Sequence, residues 1–242
     1  MPSSTRKTGR WTPWAPFLIG AAILVAIAGY AIVASGSEAD DQAAPQSAPV
    51  SSDIRAMGEE LARRDADDPM ALGDTDAPVV LIAYSDYNCP FCGRWVREIQ
   101  PELMHYVDDG QLRIEWREFP YLSDDSTTAA RAAHAAGAQG KFWEFHDAYY
   151  GKDEKFEGEA LQNELDAIAD DIGLDKKRFD EDRESDETAQ AVQRDFDEGV
   201  GIGVNGTPAF LVNGQPVMGA QPLPVFNQAI DTALADAKKG DK

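Results

Sequence analysis

Cys89 and Cys92 are the two cysteines of a 242-residue chain, separated by Pro90 and Phe91. Residues three apart share a helix face, so the two sulfurs can meet and close a small disulfide ring. So short a loop removes little entropy from the unfolded chain, which makes stability a poor reason for the bond. A zinc site needs about four ligands, and only His105, His134 and His146 are on hand to complete one, with no second paired spacing. Covalent haem attachment calls for histidine directly after the second cysteine, where this chain has Gly93. The chemistry that best suits the pair is thiol–disulfide exchange, with the cysteines cycling between dithiol and disulfide.

The elements around the pair must deliver it to that chemistry. Val79 to Tyr84 is a nearly continuous apolar run rich in β-branched residues, bounded by Pro78 and by Ser85-Asp86. This is the pattern of a strand covered on both faces, and a parallel sheet is its expected context. Pro90 then stands where a first helical residue belongs, since its fixed φ suits a helix start and its missing N–H has no partner to lose there. Cys89 falls at the N-cap. Unpaired N–H groups and the positive end of the helix dipole beside its sulfur favour the thiolate, which makes Cys89 the expected nucleophile. Cys92, one turn further in and less open to solvent, is the expected resolving thiol. A thiol lowered in this way from ~8.5 to ~4.5 would favour the reduced form by about 3.4 kcal/mol at pH 7 and raise the reduction potential by roughly 70 mV.

Ser85-Asp86-Tyr87-Asn88-Cys89-Pro90-Phe91-Cys92 resembles the active-site segment of the DsbA-like thiol:disulfide oxidoreductases, in particular their membrane-tethered bacterial branch. The likeness extends over roughly 67–237. A Cys-x-x-Cys alone is weak ground; a strand followed by Cys-Pro-Phe-Cys, with Thr207-Pro208 leading into a later strand, is more specific. The resemblance implies a Thr207–Pro208 peptide bond that is cis and faces the cysteines, leaving the Thr207 backbone free to pair with an extended substrate. It also implies a quinone-linked membrane oxidase as electron acceptor. Pro90 and Phe91 shape the motif, although Phe91 offers a thiolate no hydrogen-bond donor. Some enzymes of this fold carry a buried acid on the strand six residues before the first cysteine; this chain has Ala83 there, and Asp86, which is nearer, belongs to the loop.

Downstream, Trp95, Val96, Ile99, Leu103 and Val107 recur at helical spacing up to Asp109-Gly110, with Pro101 as a kink. Leu112 to Phe119 alternates as a strand ending at Pro120. From about 121 to 200 the pattern is helical: alanines from Ala129 to Ala138, an aromatic group from Phe142 to Tyr150, and apolar stripes at Leu161, Leu165, Ile168 and at Ala189, Val192, Phe196. Core packing accounts for the aromatics and for His146 among them, and His105 reads as a surface residue. A strand emerges up to Val212, and Asn213-Gly214 marks a two-residue hairpin. Gln215 to Gly219 belongs at a sheet edge because of Pro216, and Leu223 to Ala237 closes as an amphipathic helix. The order amounts to an α/β architecture, a thioredoxin fold with an inserted helical domain.

Ahead of this domain, Arg6, Lys7 and Arg10 precede any acid, and Phe17 to Ala34 carries no charge. As a helix that run would reach ~27 Å, close to a ~30 Å hydrocarbon core, with Trp11 and Trp14 at the interface and the basic tail on the cytoplasmic side. The expected organisation is a cytoplasmic tail (1–16), a transmembrane anchor (17–34), a tether with a short helix (35–66) and an extracytoplasmic catalytic domain (67–242). A signal peptide cleaved near Val33-Ala34-Ser35 is the competing reading; a lipoprotein is excluded because no cysteine follows the apolar run. Export suits a disulfide that must persist. The chain carries 43 acidic against 22 basic residues, net −21, and three of the basic ones lie in the tail. The exported part should therefore avoid nucleic acid and anionic headgroups.

The expected function is formation of disulfides in reduced or unfolded secreted proteins, with the redox-active Cys89–Cys92 disulfide in place of any cofactor or metal. The rivals are a disulfide reductase or isomerase and, from another class, a peptide-binding chaperone with a non-catalytic disulfide; Cys89→Ser would abolish either enzyme and spare the binding module. An uncleaved anchor predicts that the full-length protein sediments with membranes and that protease added to spheroplasts removes the C-terminal domain. Release of a soluble form starting near Ser35 or Gly36 would instead identify a signal peptide.

Overall fold

The computed structural model describes residues 52–240; the expected tail, the expected anchor 17–34 and the tether up to residue 51 lie outside the described residues. Among the described residues no helix is long and apolar enough to cross a membrane. The centre of the fold is β2 (Val79–Ser85), every residue of which is buried. It pairs in parallel with β3 (Leu112–Glu118), from Val79 opposite Leu112 to Ser85 opposite Glu118, and antiparallel with β4 (Ala209–Val212). The short β1 (Ala71–Leu72) flanks β3 and β5 (Gln215–Met218) flanks β4, giving the order β1-β3-β2-β4-β5.

The sheet is thus mixed, where the apolar run alone pointed to a parallel one. Strands β2 and β3 are joined by a helical crossover, whereas Asn213 and Gly214, both at positive φ (44° and 79°), fold β5 straight back on β4. Pro216 sits on the edge strand, as its missing ladder donor requires. Helices α2 (Pro90–Glu98) and α3 (Gln100–Asp108) replace the single kinked helix expected from the apolar spacing. Pro101 is tolerated in the first turn of a new helix but not inside an old one, so the chain breaks at Ile99, whose φ is −110°.

Between β3 and β4 stand α4 (Asp124–Gly137), α5 (Phe142–Tyr150), α6 (Gly158–Asp171), α7 (Lys176–Glu184) and α8 (Asp186–Gly201), the expected helical insertion. In α4, Ala129, Ala130, Ala132, Ala133, Ala135 and Ala136 are buried, and such small side chains let the other four helices pack closely against it. Helix α1 (Ser52–Leu61) precedes the sheet and α9 (Leu223–Gly240) follows it. Gly58 of α1 lies so near Gly214 that a Cβ there would enter the backbone of the hairpin turn.

The two sheet faces bury different chemistry. Val79, Leu81, Ala83, Leu112, Ile114 and Trp116 join the large core with α2, α4 and α5, while Val80, Ile82 and Tyr84 pack with Phe119 and Phe196 on the other side. On that second face β3 presents Arg113, Glu115 and Arg117, which are buried as well. The chain after α1 crosses them. Backbone N–H groups of Arg63 and Arg64 donate to the Glu115 carboxylate at 3.0 and 2.8 Å, alongside Arg113 Nε at 2.9 Å and Arg117 Nη2 at 2.8 Å. Arg117 Nε reaches Glu198 at 3.0 Å, and Arg63 pairs with Asp195 and Glu198. The alternation of β3 therefore has an apolar side and an ionic side, with neither in water.

Burial alone would raise the Glu115 pKa, but the Arg63 N–H, the Arg117 charge, the Arg64 N–H and the Arg113 guanidinium outweigh it and hold the carboxyl down to about 2. A carboxyl depressed in the folded state contributes stability above its ordinary value of 4.5 that is lost as pH falls toward 2. Glu115→Gln leaves Arg113 and Arg117 short of a counter-charge and is expected to lower the unfolding free energy near pH 7 by about 3 kcal/mol, read from denaturant midpoints. The gap between wild type and variant should close between pH 4.5 and 2; a gap independent of pH would show that the charge is not what matters.

Candidate functional site

The segment leaving β2 is held by one carboxylate. Asp86 Oδ1 accepts the Asn88 N–H at 2.8 Å, an Asx-type turn, and Oδ2 accepts the N–H groups of Tyr121 and Leu122 at 3.0 and 3.1 Å. The Cys89 N–H donates to the Asp86 carbonyl at 3.0 Å, and Asn88 Nδ2 donates to Ser123 Oγ at 2.9 Å. The chain therefore arrives at α2 with Cys89 as N-cap in extended conformation (φ −86°, ψ 116°) and Pro90 in the first turn, where the sequence places them. Phe91 is 54% exposed, with the Arg94 guanidinium 5.2 Å from its ring centre.

Both cysteines are thiols in this structure, and their surroundings differ sharply over one helical turn. Cys89 is 5% exposed and Cys92 fully buried. Cys89 is less open than an N-cap position suggests, because the loop before β4 covers it and its Sγ donates to the Thr207 carbonyl at 3.3 Å. The Cys92 side chain as hydrogen-bond donor lowers the Cys89 thiol most; the Thr207 side chain and the N–H groups of Cys92 and Phe91 add to this, bringing it to about 6 against the opposing effect of burial. Burial, first, and then the hydrogen bond and charge of Cys89 push Cys92 well up, with the Ser85 side chain and the Asp86 backbone pulling the other way.

The Thr207–Pro208 bond is cis, as the resemblance implies, and the structure brings Thr207 against Cys89 across 118 positions of sequence. The Thr207 carbonyl, expected to be free, is engaged by the thiol. A cleft of about 180 Å³ opens beside Cys89, walled by Asn88, Pro90, Arg97, Tyr149 and Lys152 among others. His105 is exposed. His146 is enclosed by Trp116, Phe142, Trp143 and Tyr150. Among the described residues no group of His, Cys, Asp or Glu is arranged to hold a metal.

Sequence reasoning missed Ser85, Tyr150 and Glu118. Ser85 Oγ lies 3.3 Å from the Tyr150 hydroxyl and beneath Cys92. Glu118 was visible in principle, since the two-residue period of β3 puts it in register with Leu112, Ile114 and Trp116, the apolar side, where an acid is out of place.

Residues 65–232 match the family model described as thioredoxin. The probable disulfide bond formation protein D of Bacillus anthracis is 31% identical over 150 residues, covering 60% of this chain and 69% of that protein. The Na(+)/H(+) antiporter NhaA 1 of Mycobacterium sp. (strain KMS) is 38% identical over 147 residues and 59% of this chain, but the chain spans just 23% of the antiporter's length. A thioredoxin-like oxidoreductase of known structure from Silicibacter pomeroyi DSS-3 is 34% identical, with a TM-score of 0.60 over 70% of this chain and 93% of that one. Wolbachia pipientis alpha-DsbA1, at 22% identity, shares the fold with a TM-score of 0.65 over 72% and 94%. Fold, family match and curated relative agree: the chain belongs to the thioredoxin family.

Proposed function

We propose that the protein is an exported, membrane-tethered donor of disulfides to reduced or unfolded secreted proteins. The observation that carries this reading is the asymmetry of the two sulfurs: Cys89 is lowered to about 6 at the mouth of a cleft, and Cys92 is raised in a site without solvent. A substrate thiolate attacks Cys89 Sγ of the Cys89–Cys92 disulfide and expels Cys92. A second substrate thiolate then attacks the substrate sulfur of the mixed disulfide, forming the substrate's disulfide and releasing Cys89 as its stabilised thiolate. Two electrons pass to the pair, and a quinone-linked membrane oxidase removes them.

Thr207 and Pro208 border the reacting sulfur and receive the extended substrate, with Pro90 and Phe91 shaping the approach. Phe91, Tyr121 and Leu122, exposed on segments that adjoin the pair, offer apolar surface to an unfolded chain. In this reading a tether (35–66) joins the catalytic domain (67–242) to an anchor (17–34) whose tail (1–16) lies on the cytoplasmic side. Export is supported by the chemistry, because a cysteine pair of this kind keeps a disulfide only in an oxidising compartment. The direction is supported by the Bacillus relative, whose name is disulfide bond formation.

Against an ordinary thiol at 9.0, a Cys89 value of about 6 favours the reduced form at pH 7 by at most about 1.4 kcal/mol, or about 30 mV, before solvent screening trims it. The effect is smaller than the sequence-based figure because burial of the sulfur opposes the hydrogen bonds that favour its thiolate. It is present above the lowered pKa and shrinks as pH falls through it. Full-length protein equilibrated with glutathione buffers should show a potential less negative than about −230 mV; a more negative value would identify a reductase. Limiting alkylation of the reduced protein at pH 7, mapped by mass spectrometry, should label Cys89 ahead of Cys92. Predominant labelling of Cys92 would reverse the two roles.

A further inference from the structure

Glu118 ends β3 opposite Ser85, fully buried, and among the described residues neither of its carboxyl oxygens has a well-formed hydrogen bond. Such a group is expensive to keep in a core and calls for an explanation. Strand periodicity puts it on the sheet face that packs against α2. The Tyr87 hydroxyl on the same side is also without a partner. Tyr87 stacks on Tyr150 with ring centres 4.9 Å apart, the Tyr150 hydroxyl is 3.3 Å from Ser85 Oγ, and the nearby Ser85 side chain favours the thiolate of Cys92.

We propose that Glu118 exchanges the proton of Cys92 on the sheet face it shares with Ser85, its carboxyl turning onto the Ser85–Tyr150 hydroxyl pair to do so, and so takes the part for which Ala83 has no acid. The proposal rests on the roles assigned above to the cysteine pair. Burial, first, and then the charge of Asp195 on α8 push Glu118 well above the usual carboxylate range, Asp86 adds to the rise, and the Trp116 indole alone opposes it. Tyr87 and Tyr150 are in turn raised by the Glu118 charge after burial and nearer groups, and His134 on α4 faces Asp195. In the mixed disulfide between Cys89 and a partner cysteine, the Cys92 thiol gives its proton to the Glu118 carboxylate. The resulting thiolate attacks Cys89 Sγ, the Cys89–Cys92 bond forms, the bond from Cys89 to the partner breaks, and the partner leaves as a thiolate. In the reverse direction, protonated Glu118 returns the proton as Cys92 is expelled. Glu118 touches neither sulfur; it sets the protonation of Cys92 through the Ser85–Tyr150 hydroxyl pair.

The test is stopped-flow reaction of the reduced full-length protein with dithiobis(nitrobenzoate) across pH. The first nitrothiophenolate released reports attack by Cys89, and the second reports attack by Cys92 on the mixed disulfide. Glu118→Gln should leave the first phase in place and slow the second roughly a hundredfold at pH 7, with the gap closing at alkaline pH, where Cys92 ionises unaided. Ser85→Ala should reproduce the loss with the carboxyl intact. A second phase whose pH profile matches wild type in both variants overturns the proposal. If Glu118→Gln does not fold, infrared spectroscopy of wild type decides: a protonated buried carboxyl at pH 7 that shifts on reduction of the pair supports the proposal, and its absence overturns it. Lack of a second phase in wild type itself would overturn the role of Cys92 instead.

Discussion

One short helix holds two sulfurs in different solvents. The first turn of α2 gives Cys89 the donors that a thiolate needs, and the same turn places Cys92 where no water reaches. Each unit of difference in their pKa values corresponds to ~1.4 kcal/mol of unequal solvation, and the surrounding elements serve to keep that inequality in place. The burial of β2 along its whole length fixes where the chain emerges, and Asp86 binds backbone of its own loop and of the segment after β3 so that the emerging loop keeps one shape. The mixed topology brings the Thr207 segment over the first sulfur without covering the cleft beside it.

Strand β3 carries two kinds of burial on opposite faces. Glu115 on one side is surrounded by donors and its carboxyl is held down; Glu118 on the other has only the Trp116 indole to oppose burial and is pushed up. The same residue type behaves oppositely across the thickness of one sheet, because partners rather than depth decide the charge state. The ionic side also shows that the thioredoxin segment is not self-sufficient. The family match begins at residue 65, yet Arg63 and Arg64 supply two of the hydrogen bonds that satisfy Glu115. The stretch between α1 and the sheet, though itself exposed, thereby closes over the buried ion pairs of β3 and is not merely a leader to it.

The sequence was most readable where local rules act alone. Pro90 announces a helix start, Asn213-Gly214 announces a hairpin, and the apolar run from Val79 announces the central strand; each depends on φ values or burial that neighbouring residues already specify. Pro101 was read as a kink because apolar spacing continues across it, but steric exclusion of proline from a helix interior prevails over periodicity. The parallel-sheet expectation held for β3 and not for β4: burial on both faces says nothing of the direction of the neighbour, and β4 arrives reversed after an insertion of five helices. The site was legible in its thiols and in Thr207-Pro208. Its supports were not, since Ser85, Tyr150 and Glu118 meet only once β2, β3 and α5 are packed, and polar residues in strands ordinarily read as solvent-facing.

The hydrogen bond from Cys89 to the Thr207 carbonyl gives the site an interlock. A thiol can donate to that oxygen and a thiolate cannot, so loss of the proton empties the acceptor just when the sulfur becomes reactive. A peptide N–H arriving in strand-like fashion competes with the thiol proton for the same lone pairs. By linkage, whatever free energy a docked peptide gains from an ionised Cys89, the ionisation gains from the peptide. Docking and activation would then be two readings of one equilibrium: a Thr207 carbonyl held by the thiol keeps the sulfur partly masked, and one taken by a peptide N–H unmasks it.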